Sequence, residues 1–345
     1  MSSFYKLTVK QIVRETPTAI SILFDVPNHL KDTFTFIAGQ YVTLKTTINN
    51  SEVRRAYSIC ASPNSQQLKV AVKAVKDGVF STYATSQLKV GDTIEVSEPE
   101  GKFTLTPQSD KNYIAFAAGS GITPVMAMVK ATLENTQNTT FTLVYGNKSV
   151  ENTIFKSELD ELASKHSNFH LNYVYSQEQA NESKFGRIDK SIANYFLKNK
   201  YQNILFDAAF LCGPEKMIET VSETLQENQF TKDQIFFELF TASTDNTVEI
   251  KDGKTQVTVL LDDEEHAFIM DASDNILAAS LRNNIDAPYS CQGGVCSSCL
   301  GKITAGKAVM KKNSILTDSE IEEGLVLTCQ AHPVTPKISI DFDDV

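Results

Sequence analysis

Short runs of alternating apolar and polar residues occupy the first 106 positions. Stretches 6–9, 19–24, 40–44, 68–72 and 92–96 each repeat with a period of two. Turn formers at Pro27-Asn28, Ala38-Gly39, Asn49-Asn50 and Lys89-Val90-Gly91-Asp92 separate them. That pattern predicts a small antiparallel β-barrel. A short helix is expected near 81–87, with Ser81 as its cap.

The pattern changes at about 111. Tyr113-Ile114-Ala115-Phe116-Ala117 is a continuous apolar run, as a strand covered on both faces requires. Apolar runs at 141–145, 170–175 and 208–211 alternate with helical stretches at 124–133, 154–164 and 189–197. Strands alternating with helices predict a parallel α/β sheet, and 234–240 closes it. A polar stretch follows, so 241–252 reads as a linker. Beyond it, strand-like runs at 256–261 and 266–270 precede a helix near 275–284, giving a compact sheet crossed by a helix. The expected divisions are 1–106, 107–240, 241–252 and 253–345.

Length agrees with this count, since 345 residues ordinarily make two to three domains. The net charge of −10 argues against a nucleic-acid partner, which needs clustered cations. The charge is also unevenly spread: residues 1–243 carry a net −1 and residues 244–345 a net −9. No apolar run approaches a membrane span, and the first fifteen residues lack the apolar core of a signal peptide. A cytoplasmic protein without membrane insertion is expected. Cysteine divides like the charge, with Cys60 and Cys212 isolated and Cys291, Cys296, Cys299 and Cys329 grouped in the acidic part. Without an export signal, four close cysteines read as metal ligands.

Their spacing, C-x4-C-x2-C followed by a distant fourth cysteine, is that of plant-type [2Fe–2S] ligation. Gly293 and Gly294 let the backbone wrap closely and aim N–H groups at sulfur. A structural zinc site is the alternative, though zinc usually takes paired C-x2-C hooks. With Pro288-Tyr289-Ser290 before Cys291 and Leu327-Thr328 before Cys329, residues 253–345 resemble a plant-type ferredoxin domain. That resemblance implies a β-grasp fold.

In the barrel, Arg55-Ala56-Tyr57-Ser58 suits a flavin: a cation for pyrophosphate, a ring to stack and a hydroxyl for N5. Val72, Lys73, Val75, Gly78, Val79, Phe80, Ser81 and Thr82 follow, and Gly78 to Ser81 at a helix start offers a phosphate seat. Jointly these resemble the flavin barrel of the ferredoxin–NADP reductase superfamily. After the first buried strand comes Gly119-Ser120-Gly121-Ile122-Thr123-Pro124, with Pro124 placed to open a helix. This GxGxxP is the superfamily's variant at the pyridine-nucleotide site, and Cys212-Gly213-Pro214 matches its second landmark. By that resemblance Cys212 lies near the nicotinamide. Glu238 and Phe240 match the E-x-aromatic segment that ends simpler reductases beside the flavin. Ser58, Cys212 and Glu238 are the implied catalytic group, with Phe240 covering the ring.

The order of modules resembles that of oxygenase reductases, including those serving phenylacetyl-CoA epoxidases. It implies an oxidoreductase passing electrons from NAD(P)H through FAD to one [2Fe–2S] cluster and on to a terminal oxygenase in phenylacetate catabolism. Reductases of Rieske oxygenases, hydroxylases or desaturases are the alternative, as is FMN for FAD. A redox-sensing module would have lost one of these motifs, and none is lost. The superfamily's NADPH users often carry Ser-Arg where this chain has Ser176-Gln177. Lys148, Lys184 and Arg187 are the compensating cations, so NADPH is the expected donor and NADH the alternative.

Overall fold

The computed structural model describes residues 3–240 and 253–345, so the expected linker at 241–252 lies outside the described residues. Its contacts divide the chain into two compact units.

The first unit, Phe4–Phe240, begins with six antiparallel strands: β1 (Phe4–Thr16), β2 (Ala19–Asp25), β3 (Tyr41–Ile48), β4 (Ser51–Ser58), β5 (Leu68–Lys73) and β6 (Thr93–Ser97). They pair in the order β4-β3-β6-β1-β2-β5, and a bridge from Ile59 to Val70 brings the two edges together. The alternation has its physical reason here. Leu7, Val9, Ile20, Ile22, Val42, Leu44, Val70, Val72, Ile94 and Val96 all point into one core and are at most 1% exposed. The Asn49-Asn50 hairpin, both residues at positive φ, joins β3 to β4, a strand that the alternation alone did not mark.

Helix α1 (Val79–Ser86) lies between β5 and β6. Gly78, not Ser81, is its N-cap. Ser81 sits inside the first turn, where its Oγ accepts from the Val75 N–H. The strand-to-helix connection leaves no side chain room at position 78, since a Cβ there would meet the Ser81 Oγ at 2.4 Å.

The same unit continues as a six-stranded sheet of β7 (Asn112–Ala118), β8 (Thr140–Asn147), β9 (Phe169–Tyr175), β10 (Ser183–Phe185), β11 (Ala208–Cys212) and β12 (Ile235–Glu238). The order is β10-β9-β8-β7-β11-β12 and every pairing is parallel. Helices α2 (Ile122–Asn135), α3 (Lys156–Lys165), α4 (Lys190–Asn194) and α5 (Glu215–Glu227) connect the strands. The three-residue edge strand β10 is too short for periodicity to reveal. The helix expected over 189–197 is capped by Asp189 and leaves α geometry at Tyr195, continuing as a π-helical stretch to Lys200.

Pro124 is the third residue of α2, not its first, because Gly119–Gly121 already forms a 3₁₀ turn that starts the helix at Ile122. Proline is tolerated there because the third N–H has no intrahelical acceptor in any case. One apolar cluster joins Ala38, Cys60, Phe103 and Leu105 to the buried face of α2. Barrel and sheet therefore pack as one body. Lys130 reinforces the contact, donating to the Cys60 carbonyl at 3.1 Å and pairing with Glu158 at 2.6 Å.

The second unit contains β13 (Lys254–Leu261), β14 (Glu264–Asp271), β15 (Leu300–Ala305), β17 (Leu325–Leu327) and β19 (Lys337–Asp341) in the order β14-β13-β19-β15-β17. β13 runs parallel to β19 and the other pairs are antiparallel. Helix α6 (Ile276–Arg282), capped by Asn275, buries Ile276, Leu277 and Ala279 against the sheet. The short α7 (Asp318–Glu322) precedes β17, and β16 (Ala308–Met310) pairs with β18 (Ala331–Pro333) beside it. A mixed sheet crossed by one helix is the expected β-grasp.

Candidate active site and cluster loop

In an open parallel sheet, ligands bind outside the carboxyl ends of the strands where the strand order reverses. Here β7 is flanked by β8 and β11, and the ends of all three carry the sequence-marked residues. Gly119 and Gly121 follow β7, Lys148 follows β8 and Cys212 ends β11. Register sets Cys212 beside Ala117 on one side and Glu238 on the other.

The glycines are dictated by contact. A Cβ on Gly121 would lie 2.1 Å from the Cys212 carbonyl oxygen. Gly119 holds φ at +56°, and its carbonyl accepts a 2.9 Å hydrogen bond from the hydroxyl of Tyr145, which is fully buried. Thr123 Oγ1 donates to the Ser120 carbonyl, so its hydroxyl is spent on shaping the loop.

The barrel contributes the facing side. Ser58, at the end of β4, donates from Oγ to Glu238 Oε2 at 3.3 Å, across 180 residues of sequence. Burial pushes the Glu238 carboxyl up to about 8, against the downward pull of the Ser58 hydrogen bond. Burial also raises the Cys212 thiol well above its usual range, and the Glu238 charge adds to that. Ser58, Glu238 and Cys212 are thus brought together, with the acid protonated near neutrality. Tyr57 leans on Phe80 at 5.4 Å between ring centroids. Phe80 is 1% exposed and Val72 fully buried, so these two support the site from the core instead of lining it with their side chains.

Three cations on this side have no carboxylate partner among the described residues: Arg55, Lys73 and Lys148. Arg55 Nη1 donates only to the neighbouring Arg54 carbonyl. Lys73 Nζ lies 3.5 Å from where a Gly119 Cβ would stand, and its pKa is lowered by burial and then by the Lys148 charge. A partly buried ammonium beside the Gly119 turn, within Coulomb range of Lys148, fits a phosphate. Lys73, expected with the flavin, therefore sits at the nucleotide turn. Lys184 does not join this set, because its ammonium lies 3.7 Å over the Tyr195 ring. Arg187 is exposed after Gly186. Val75, Val79 and Phe240 are exposed apolar side chains, at 57%, 47% and 38%.

In the second unit the four thiols form two pairs. Cys296 Sγ donates to Cys291 Sγ at 3.0 Å, and a side-chain hydrogen bond links Cys299 and Cys329. Cys291 is held down to about 6 by that bond and by N–H groups of Gly293, Val295 and Cys296, despite opposing burial. Cys329 is lowered first by Cys299. Among the described residues no three His, Cys, Asp or Glu side chains converge on one point. Two pairs suit two irons, whereas a single zinc needs one tetrahedron. The Ser290 hydroxyl, buried beside Cys291 and without a partner, lacks an acceptor that cluster sulfur would provide.

Sequence profiles of known families match in the same order. An oxidoreductase FAD-binding domain covers 6–105, an oxidoreductase NAD-binding domain 116–223, and a 2Fe-2S iron-sulfur cluster binding domain 259–334. Over its whole length the sequence is 36% identical to a subunit of the 1,2-phenylacetyl-CoA epoxidase of Escherichia coli K12, covering 99% of both chains. The chain belongs to the modular oxygenase-reductase family. The reductase is also 34% identical to the ferredoxin reductase component of a 3-ketosteroid-9-alpha-monooxygenase from Rhodococcus rhodochrous, over 97% of this chain and 96% of that one. Phthalate dioxygenase reductase shares its fold, with a TM-score of 0.65, 24% identity and coverage of 99% and 98%. The reductase is an oxidoreductase using FAD, NAD(P)H and one [2Fe–2S] cluster. Among the described residues no helix is long and apolar enough to cross a membrane.

Reading of the sequence missed Tyr145, the donor that pins the Gly119 carbonyl. A lone tyrosine in a buried strand carries no local signal of that role.

Proposed function

We propose that this reductase supplies electrons from NADPH to a terminal di-iron monooxygenase of the phenylacetyl-CoA epoxidase type. The end-to-end 36% identity to a component of such an epoxidase is the observation that carries this reading. The end-to-end likeness to a ketosteroid monooxygenase component supports a second reading, service to another kind of oxygenase, with a Rieske-type enzyme as the alternative. Reconstitution decides between them. Holo-reductase mixed with the other epoxidase components and phenylacetyl-CoA should support NADPH-dependent product formation. Turnover only with a Rieske oxygenase would overturn the first reading.

When bound, the flavin supplies the exchange between paired nicotinamide electrons and the single electrons a cluster accepts. The chain's own residues do the rest. Gly119 and Gly121 let the nucleotide backbone approach, with Thr123 and Pro124 shaping the turn and Gly213-Pro214 the facing loop. Lys73 and Lys148 neutralise phosphate, and the exposed Arg187 is the candidate contact for a 2′-phosphate, which favours NADPH over NADH. Arg55, with Gly78 and the first turn of α1 through Ser81 and Thr82, holds the flavin phosphates. Tyr57, Val75, Val79 and Phe240 pack on the ring. Ser58 orients Glu238, and Glu238 keeps its proton beside Cys212 where the nicotinamide arrives. Cys291, Cys296, Cys299 and Cys329 hold the cluster. The division at 107 and 241–252 and a cytoplasmic setting, where thiols stay reduced, belong to the same proposal.

A further inference from the structure

Two segments of chain carry the four sulfurs, and they are fastened to each other beyond the cysteines themselves. At one point the Thr328 N–H and Oγ1 both donate to the Cys299 carbonyl, at 3.0 and 2.8 Å. At another the fastening is a side chain. Gln330 directly follows Cys329, and its amide donates to the carbonyl of Gln292, directly after Cys291, at 3.1 Å. The same amide nitrogen stands 3.8 Å from Cys329 Sγ, within donor range of a sulfur acceptor. A glutamine NH2 carries two hydrogens, so one nitrogen serves both acceptors.

Packing fixes this arm. A Cβ on Gly294 would meet the Gln330 Cγ at 3.0 Å, so the glycine leaves the space that the glutamine stem occupies. The main chain of Gln330 is held as well, its N–H donating to the Leu327 carbonyl at 2.8 Å and its carbonyl accepting from the Lys311 N–H at 3.0 Å. Gln292, whose carbonyl receives the amide, keeps φ at +54°, a left-handed turn that residues with side chains rarely adopt. The Gly293 N–H also bonds a sulfur, Cys291 Sγ at 3.3 Å, but it belongs to the backbone and comes with the spacing of the loop. The Gln330 donor is a side chain, which can change while the ligand spacing stays the same.

Hydrogen bonds aimed at the sulfurs set the reduction potential of an iron–sulfur centre, because they stabilise the negative charge that reduction adds. We propose that Gln330 is a positioning residue that clasps the two cysteine loops together and, through its N–H on Cys329, raises the reduction potential of the cluster they hold. The step concerned is a one-electron transfer: the reduced flavin loses one electron, the cluster gains it, no proton moves and no bond forms or breaks. The added charge spreads onto the sulfurs, so the Gln330 donor favours the reduced form. The inference deepens the reductase reading above and rests on it.

The test is a redox titration of full-length holoprotein, followed by the electron paramagnetic resonance of the reduced cluster. Gln330→Met keeps the length of the arm and removes both N–H groups. Its equilibrium constant for reduction should fall about fivefold, which for one electron lowers the potential by about 40 mV. An iron chelator should also withdraw iron from it faster than from the native protein. Gln330→Glu keeps the shape, has no N–H to give and adds a negative charge, so its potential should fall further. That variant carries the test if Gln330→Met takes up no cluster. Gln292→Gly relaxes the turn but keeps the carbonyl, and its potential should match the native one. An unchanged potential in either Gln330 variant would overturn the proposal, as would an equal fall in Gln292→Gly, which would assign the effect to loop geometry. Absence of a [2Fe–2S] signal when NAD(P)H reduces the native protein would instead overturn the reductase reading.

Discussion

Cysteine meets opposite fates in the two units. Cys60 and Cys212 are fully buried in the first unit. Burial pushes Cys60 up to about 12 and raises Cys212 well above its usual range, with the Glu238 charge adding to the latter. Cys291 in the second unit is held down to about 6, because a thiol partner and three backbone N–H groups converge on its sulfur. Desolvation acts at both places. What differs is the supply of donors, since a turn wrapped around a sulfur exposes its N–H groups to it while a strand spends them on its neighbours. One thiol is held neutral by its surroundings and the other is made easy to ionise.

The largest break in this comparison is Cys329→Ser. It should abolish the visible bands of the cluster and lower haem-protein reduction at least about 100-fold, while ferricyanide reduction by NAD(P)H stays within about twofold. Loss of both activities would mean that the first unit does not work independently of the second. Gly121→Ala comes next. Its Cβ would drive against the Cys212 carbonyl, so nucleotide affinity should fall about 100-fold by titration while cluster absorbance is kept.

Tyr145→Phe is gentler, removing the hydroxyl that bonds the Gly119 carbonyl at 2.9 Å and, more weakly, the Ile154 carbonyl at 3.4 Å. A lost hydrogen bond of about 1 kcal/mol predicts a roughly fivefold rise in KM for the nucleotide with kcat little changed. A fall in kcat alone would remove the loop-positioning role. The smallest effect is a pH trend from Glu238→Gln. The Glu238 carboxyl is raised from an unfolded value of about 4.3 to about 8, so its stabilising contribution is complete below the unfolded value and disappears as pH rises through 8. The variant should therefore gain Tm relative to the native protein as pH rises from 5.5 to 8.5. A difference independent of pH would show that the acid is not held protonated.

The legibility of the two sites differs for a physical reason. Three of the four cluster ligands fall within nine residues, so their chemistry is written as local spacing. The flavin and nucleotide site is scattered over Arg55 to Glu238, and short motifs marked its pieces without saying how they meet. Ser81 as a cap and Pro124 as a first helical residue failed because the neighbouring glycines start those helices earlier. Lys184 was an equally plausible cation by sequence, but the ring of Tyr195 takes its charge.

The sequence by itself determined the order of modules, the barrel alternation, the buried parallel strands and the spacing of the four candidate cluster cysteines, because each depends on periodicity or spacing within a few residues. Only the tertiary structure decided that Ser58 reaches Glu238, that Tyr145 holds Gly119 and that Lys73 stands beside the Gly119 turn. Those relations join residues far apart along the chain. Pairing register and packing bring them within hydrogen-bond and Coulomb range, and no local pattern records that distance.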